Sequence, residues 1–206
     1  PVSNDVSLHA QDARTGFAAV THNLTSVPAG ALLVVTTSAG SNLQNATVSS
    51  SPSLTWTKRV DASAASSGDA EIYTAVFTAG GTIDVTSNWG NQAQSSMCYV
   101  VVNQESSLGG ATASGTGQNP ANVSITTTRA NSIILAVTSD WNAENYTSPR
   151  SYRSTATETF YNYASGSVTS YYYYKSAATT AAYPMGLNGP ANATSSGTAL
   201  IEIRGN

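Results

Sequence analysis

Apolar and polar residues alternate with a period of two along most of this chain, as in Leu54-Thr55-Trp56-Thr57. Alternation and turn residues together predict strands over 5–10, 16–25, 31–38, 53–60, 70–78, 82–88, 96–104, 121–128, 131–138, 155–163, 168–177 and 198–204. The turns fall at Pro28-Ala29-Gly30, Gly80-Gly81, Gly109-Gly110, Asn119-Pro120 and Asn188-Gly189-Pro190. About a dozen strands predict an all-β fold, a jelly-roll-like two-sheet sandwich.

The chain also resembles itself. Residues 22–39 align without gaps on 123–140, an offset of 101, with Thr25/Thr126, Ala29/Ala130, Thr37/Thr138 and Ser38/Ser139 identical. Residues 96–103 fall on 197–204 at the same offset, pairing Tyr99/Leu200, Val100/Ile201 and Val102/Ile203. The segment 70–79 lies about 99 residues before 169–178. An internal pseudo-repeat of about 100 residues follows. The expected organisation is an N-terminal strand, 1–10, and one sandwich over 11–206. Two related halves, about 11–108 and 109–206, build that sandwich, each expected to contribute strands to both sheets.

Composition narrows the class. The chain has 206 residues, of which 9% are charged, against about 25% in an average domain. A net charge of −3 with eight basic residues excludes a nucleic-acid footprint. No apolar run reaches the ~20 residues of a membrane span, and Pro1 opens no signal segment, so a soluble, already processed chain is expected. Val, Ile and Thr number 50 against 19 Leu, Glu, Lys and Met, a balance that favours the pleated sheet. The 57 Ser and Thr make solubility depend on hydroxyls, a composition associated with secreted, extracellular or cell-surface proteins. The single cysteine, Cys98, reads as a small buried hydrophobe and can form no intrachain disulfide.

The run Val27–Val35, Leu54-Thr55-Trp56-Thr57, 126–132 and Ser139-Asp140-Trp141 together resemble a jelly-roll module. Such modules recur in large secreted bacterial surface proteins and phage-tail appendages. The resemblance implies a structural or binding role and transfers no catalytic residue.

Candidate chemistry is sparse. The two histidines, His9 and His22, lie on predicted strands, and no G-x-S-x-G elbow accompanies any serine. Asp140, Asn142 and Glu144 offer oxygens at i, i+2 and i+4 and form a weak Ca²⁺ candidate. The spacing lacks the sixth-position glycine and twelfth-position glutamate of an EF-hand loop, so no metal or other cofactor is expected. Eleven scattered acids give no glycosidase pair. In Tyr171–Tyr174 alternate rings face each way, so Tyr171 and Tyr173, with Trp89 and Trp141, are candidate platforms for a sugar ring or a subunit. Trp56 lines up with Leu54 and Val60, which places it in the core. Asn23, Asn45, Asn122, Asn145 and Asn192 begin N-x-S/T sequons, no more than chance supplies, and are candidate N-glycosylation sites in a host that glycosylates. Lys58 shares the even spacing of Leu54 and Trp56; such a lysine either snorkels at a strand end or, buried, forms an amide with an asparagine, as in some surface adhesins.

The N-terminal strand places Val2, Val6, Leu8 and Ala10 on one face, before a polar hinge at 11–16. Such a strand either completes its own sandwich or donates itself to a neighbour, as in pilus-like filaments. The leading expectation is therefore a non-enzymatic extracellular structural subunit that polymerises through this donor strand. The alternative is a carbohydrate-binding or adhesin module using exposed Trp and Tyr. The expected partners are further copies of the chain or a polysaccharide, with no nucleic acid and no membrane span.

Overall fold

A computed structural model describes residues 5–40, 44–64, 67–117, 122–141, 145, 150–189 and 195–206. The first half holds β1 (Ser7–Val27), β2 (Ala31–Ala39), β3 (Thr47–Ser51), β4 (Thr57–Ala62), β5 (Asp69–Phe77) and β6 (Gly81–Val102). They form one antiparallel sheet of order β1-β6-β2-β5-β4, with β3 also paired to β6. The expected strands 5–10 and 16–25 merge into β1, and 82–88 and 96–104 merge into β6. Each long strand continues past an irregularity. β1 shifts register between Phe17 and Ala19, where Ala18 has φ +66°.

The second half holds β7 (Thr112–Gly117), β8 (Val123–Thr126), β9 (Ser132–Asp140), β10 (Ser151–Tyr152), β11 (Thr157–Ala164), β12 (Val168–Ala177), β13 (Ala182–Met185), β14 (Leu187–Gly189) and β15 (Ser196–Ile203). Its main sheet has the order β11-β12-β9-β15-β7, and β8–β13 and β10–β14 pair separately. Each half therefore closes its own main sheet, and the expected sharing of both sheets by both halves is corrected. The backbone reason is visible in β2 and β9. Each is flanked on both sides by strands of its own half, which satisfies its N–H and C=O groups.

The two sheets run in matching order and share a defect. Val34 lies opposite Tyr99 and Thr74, and Leu135 lies opposite Ile201 and Tyr174. In the first sheet Lys58 pairs with Tyr73 and Val60 with Ile72, leaving Arg59 as an extra residue. In the second, Glu158 pairs with Tyr173 and Phe160 with Tyr172, leaving Thr159 extra. Tyr99 thus corresponds to Ile201, not to Leu200 as the ungapped alignment pairs them. Tyr99 and Ile201 both face the space between the sheets, while Leu200 faces the opposite side.

Three apolar cores result. Leu32, Val34, Ile72, Tyr99 and Val101 meet Ile133, Leu135, Tyr172, Ile201 and Ile203 between the sheets. On the far side of the first sheet, Leu33, Val35, Tyr73 and Val100 are covered by Leu24, Ile83, Val85, Trp89 and Ala46. These come from the second part of β1, the first part of β6 and the segment before β3. On the far side of the second sheet, Ile134, Tyr171, Tyr173 and Leu200 are covered by Val123, Ile125, Tyr152, Met185 and Leu187. Covered on both faces, β2 and β9 are buried at every position. Trp56 is only half-buried and sits with Leu54 on the first sheet's outer side, whereas Val60 is in the inter-sheet core. The extra residue at Arg59 reverses the side of every later position, which separates Trp56 from Val60.

One end of the inter-sheet space is lined with hydroxyls. Ser38 Oγ lies 2.7 Å from Ser170 Oγ, and Ser95 Oγ lies 2.8 Å from the Tyr172 hydroxyl. The backbones also approach closely there. A Cβ at Gly197 would lie 2.3 Å from the Ala62 carbonyl oxygen and 2.4 Å from that of Gly68. At another corner, Asn103 Nδ2 donates to the Asp5 carbonyl (3.4 Å), and Asn206 N donates to the Asn103 carbonyl (3.0 Å). Asp5 and Asn206 therefore lie against the same residue.

Candidate functional site

From Asp5 onward the N-terminal segment is not a free arm. Ser7 and Leu8 pair with Val102 and Val101 of the same chain, and pairing continues to Phe17. Val6 is buried in the inter-sheet core and Leu8 packs against it, but Ala10 is exposed. A register shift between Leu8 and Ala10 turns Ala10 to the other face. Val2 lies outside the described residues. β1 is an edge strand, and Phe17, 65% exposed, stands at its central irregularity.

The aromatic platform is also corrected. Tyr171 and Tyr173 are fully buried in the second outer core, and Trp89 is buried in the first, its Nε1 donating to Thr37 Oγ1 at 2.7 Å. Outward residues of a main sheet are covered here, so alternation does not give exposure. Trp141 alone of the four candidates is exposed. Asp140 is buried, while Asn142 and Glu144 lie outside the described residues, as does Asn192. Among the described residues no His, Cys, Asp and Glu cluster could hold a metal ion. Asn23, Asn45, Asn122 and Asn145 are exposed. Among the described residues no helix is long and apolar enough to cross a membrane.

Two side-chain clusters carry recognisable chemistry. In the first, His22 Nδ1 lies 3.0 Å from Asp12 Oδ2 and His22 Nε2 lies 3.0 Å from Ser96 Oγ. This is the order of a Ser-His-Asp hydrolase triad. His22 and Ser96 are both fully buried within the sheet, however, so no substrate atom reaches the serine. Burial holds the His22 pKa below its ordinary value despite the hydrogen bond to Asp12. The cluster is a buried polar network joining both parts of β1 to β6.

The second cluster centres on Lys58. The extra residue at Arg59 turns Lys58 to the outer face, opposite Tyr73. Its Nζ donates to Glu71 Oε1 at 2.7 Å, to Asp61 Oδ2 at 3.0 Å and to Asn45 Oδ1 in close contact. The Glu71 side chain is fully buried, and its Oε2 accepts from Ala46 N at 3.1 Å. The Tyr73 hydroxyl lies 2.7 Å from both Glu71 Oε2 and the Ala46 carbonyl oxygen, and donates to one at a time. Ala46 is thus held at its N–H, with the Tyr73 hydroxyl within reach of its C=O, which places the preceding Asn45 over Lys58. Burial raises the Glu71 pKa above its ordinary value, beyond what Lys58 and Tyr73 offset. Burial works to lower that of Lys58, but its hydrogen bonds to Glu71 and Asp61 win and raise it. Lys58 was legible as a candidate in the sequence; Glu71, Tyr73 and Asp61 were not, because only the strand register assembles them.

The corresponding place in the second sheet is built differently. Glu158, opposite Tyr173 as Lys58 is opposite Tyr73, accepts from Arg150 Nε at 2.7 Å and Nη2 at 2.8 Å, and from the Tyr152 hydroxyl. Asn145 Oδ1 lies 3.5 Å from the Tyr161 hydroxyl. Tyr171 stands where Glu71 stands in the first sheet. The matching position in the second sheet holds an ion pair with no lysine.

No family model matches the chain, and neither does any curated protein or solved structure.

Proposed function

We propose that this chain is a non-enzymatic structural subunit of an extracellular assembly, and that copies meet along the β1 edge. The observation that carries this reading is the 21-residue edge strand with Phe17 exposed at its middle. A long strand edge offers unpaired backbone groups to another strand, and the large ring adds apolar area. The reading differs from strand donation in that each chain keeps its own N-terminal residues. The low charge and hydroxyl-rich surface support an extracellular setting. The jelly-roll likeness and the duplication belong to the same proposal. The duplication is supported by the matched sheet orders and by the extra residue shared by β4 and β11.

Electron microscopy and sedimentation of the purified chain test the assembly. Fibres or defined oligomers are expected. Phe17→Asp should weaken association by about tenfold or more, since burying a phenyl ring contributes about 1.5–3 kcal/mol. A wild-type chain that stays monomeric up to millimolar concentration would overturn the reading. Assembly that survives Phe17→Asp but is lost on deleting residues 1–16 would replace edge pairing with exchange of the N-terminal strand.

A further inference from the structure

The Lys58 cluster brings together an amine, a carboxamide and a buried carboxyl group, each held by a separate segment. We propose that Lys58 and Asn45 join through an intramolecular amide bond, formed by the chain on itself with Glu71 as the proton-transfer group. The inference stands whether or not the chain assembles.

The geometry supplies what the reaction needs. The nucleophile, Lys58 Nζ, touches the Asn45 carboxamide and is 2.7 Å from Glu71 Oε1. The carboxyl group is fully buried and fixed by Ala46 N, so it cannot swing away from the amine. Asn45 is held nearby, because the adjoining Ala46 amide donates to Glu71 and the Tyr73 hydroxyl lies 2.7 Å from the Ala46 carbonyl. Holding the groups in contact replaces a bimolecular encounter with an intramolecular one, the largest single advantage open to so slow a reaction.

The steps balance without any added reagent. The Lys58 ammonium gives one proton to the Glu71 carboxylate. The neutral amine attacks Asn45 Cγ and forms the new C–N bond. A second proton passes from that nitrogen, through Glu71, to the carboxamide nitrogen, whose bond to Cγ breaks. Ammonia departs and takes up the remaining proton as ammonium, leaving Glu71 ionised as it began. The product is a secondary amide between Lys58 Nζ and Asn45 Cγ. Because Glu71 and Asp61 both hold the ammonium, the neutral amine is the scarce form, and bond formation speeds up as pH rises.

The second sheet provides an internal comparison. With the same extra residue and the same opposing tyrosine, it carries Glu158 in place of Lys58 and Tyr171 in place of Glu71. Neither the amine nor the proton-transfer group is present there, so one amide per chain is expected.

Intact-mass measurement of the full chain, followed by peptide mapping, decides the matter. The expected mass is about 17 Da below that of the sequence, the mass of one ammonia. Trypsin should fail to cut after Lys58, and chymotrypsin, cutting after Leu54 or Trp56, should leave the peptide holding Asn45 joined to the one holding Lys58. Lys58→Arg, Asn45→Ala and Glu71→Gln should each restore the full mass. Asn45→Ala alters an exposed side chain, so its fold is preserved even where Glu71→Gln unfolds the site; circular dichroism checks both. A wild-type chain at full mass after prolonged incubation at alkaline pH overturns the inference. So does a deficit that persists in Lys58→Arg, which would mark a succinimide at Asn45 instead.

Discussion

Two buried titratable residues, Glu202 and His22, each make stability fall on acidification. The Glu202 carboxylate is almost fully buried and accepts from Ala111 N (2.9 Å), Thr128 N (2.9 Å), Arg129 N (3.1 Å) and the hydroxyls of Thr128 and Ser132 (2.8 Å each). Burial works to raise its pKa, but these donors outweigh burial and hold it below the ordinary carboxylate value. A depressed carboxyl contributes stability above its unfolded pKa of about 4.3, and that stability is lost as pH falls toward the folded value. His22 is depressed too, but its sign acts on a base. The unfolded chain takes up the proton first, so stability is full above about 6.5 and declines as pH drops below it. Urea midpoints should therefore fall in two stages on acidification. His22→Gln should remove the first stage. Glu202→Gln should flatten the second and cost about 2–3 kcal/mol at neutral pH through weakened charge-assisted hydrogen bonds. A single featureless decline would contradict both assignments.

At the scale of strands, single extra residues decide which side chains meet. Arg59 turns Lys58 outward to Glu71 while Val60 stays between the sheets. Deleting Arg59 would force Lys58 inward or Val60 outward. The chain should lose about 2–4 kcal/mol and, with it, the Lys58–Asn45 contact, as read by urea denaturation and intact mass. The same feature limits what the sequence could reveal. The central strands 31–38 and 131–138 were legible because both faces are apolar and parity does not matter there. Ala10 and Trp56 were misplaced because the extra residue between Leu8 and Ala10 and the one at Arg59 shift parity without any Gly or Pro to announce them. The ungapped alignment uses one offset between equivalent positions of the two sheets, 101. Three are in use: Val34/Leu135 differ by 101, Thr74/Tyr174 by 100 and Tyr99/Ile201 by 102. The burial of Trp89, Tyr171 and Tyr173 was not legible, since long-range pairing alone folds the outer strands over them.

Across the whole molecule, the inter-sheet core makes one body of two halves. The sheets meet through apolar side chains over most of their area and through hydroxyls and bare backbone at one end. The close approach at Gly197 is sensitive to a single methyl group, because the atoms it would strike are carbonyl oxygens of Ala62 and Gly68 rather than pliable side chains. Gly197→Ala should cost about 1–3 kcal/mol by overpacking, seen as a lower thermal midpoint, while the outer cores keep their burial. An unchanged midpoint would show that the sheets can part at that end without loss.

Asp5 and Asn206 both contact Asn103, and this sets how the molecule responds to tension. A pull applied at these two residues would not drag the sheets past each other. It would open β1 from β6 at the Ser7–Val102 pair and proceed one rung at a time, since antiparallel ladder bonds lie across the strand. Peeling loads each hydrogen bond in turn, whereas shear loads them together. A load applied at Asp5 and Asn206 would therefore break the ladder at low force, and one applied along the β1 edge would be shared over the whole ladder.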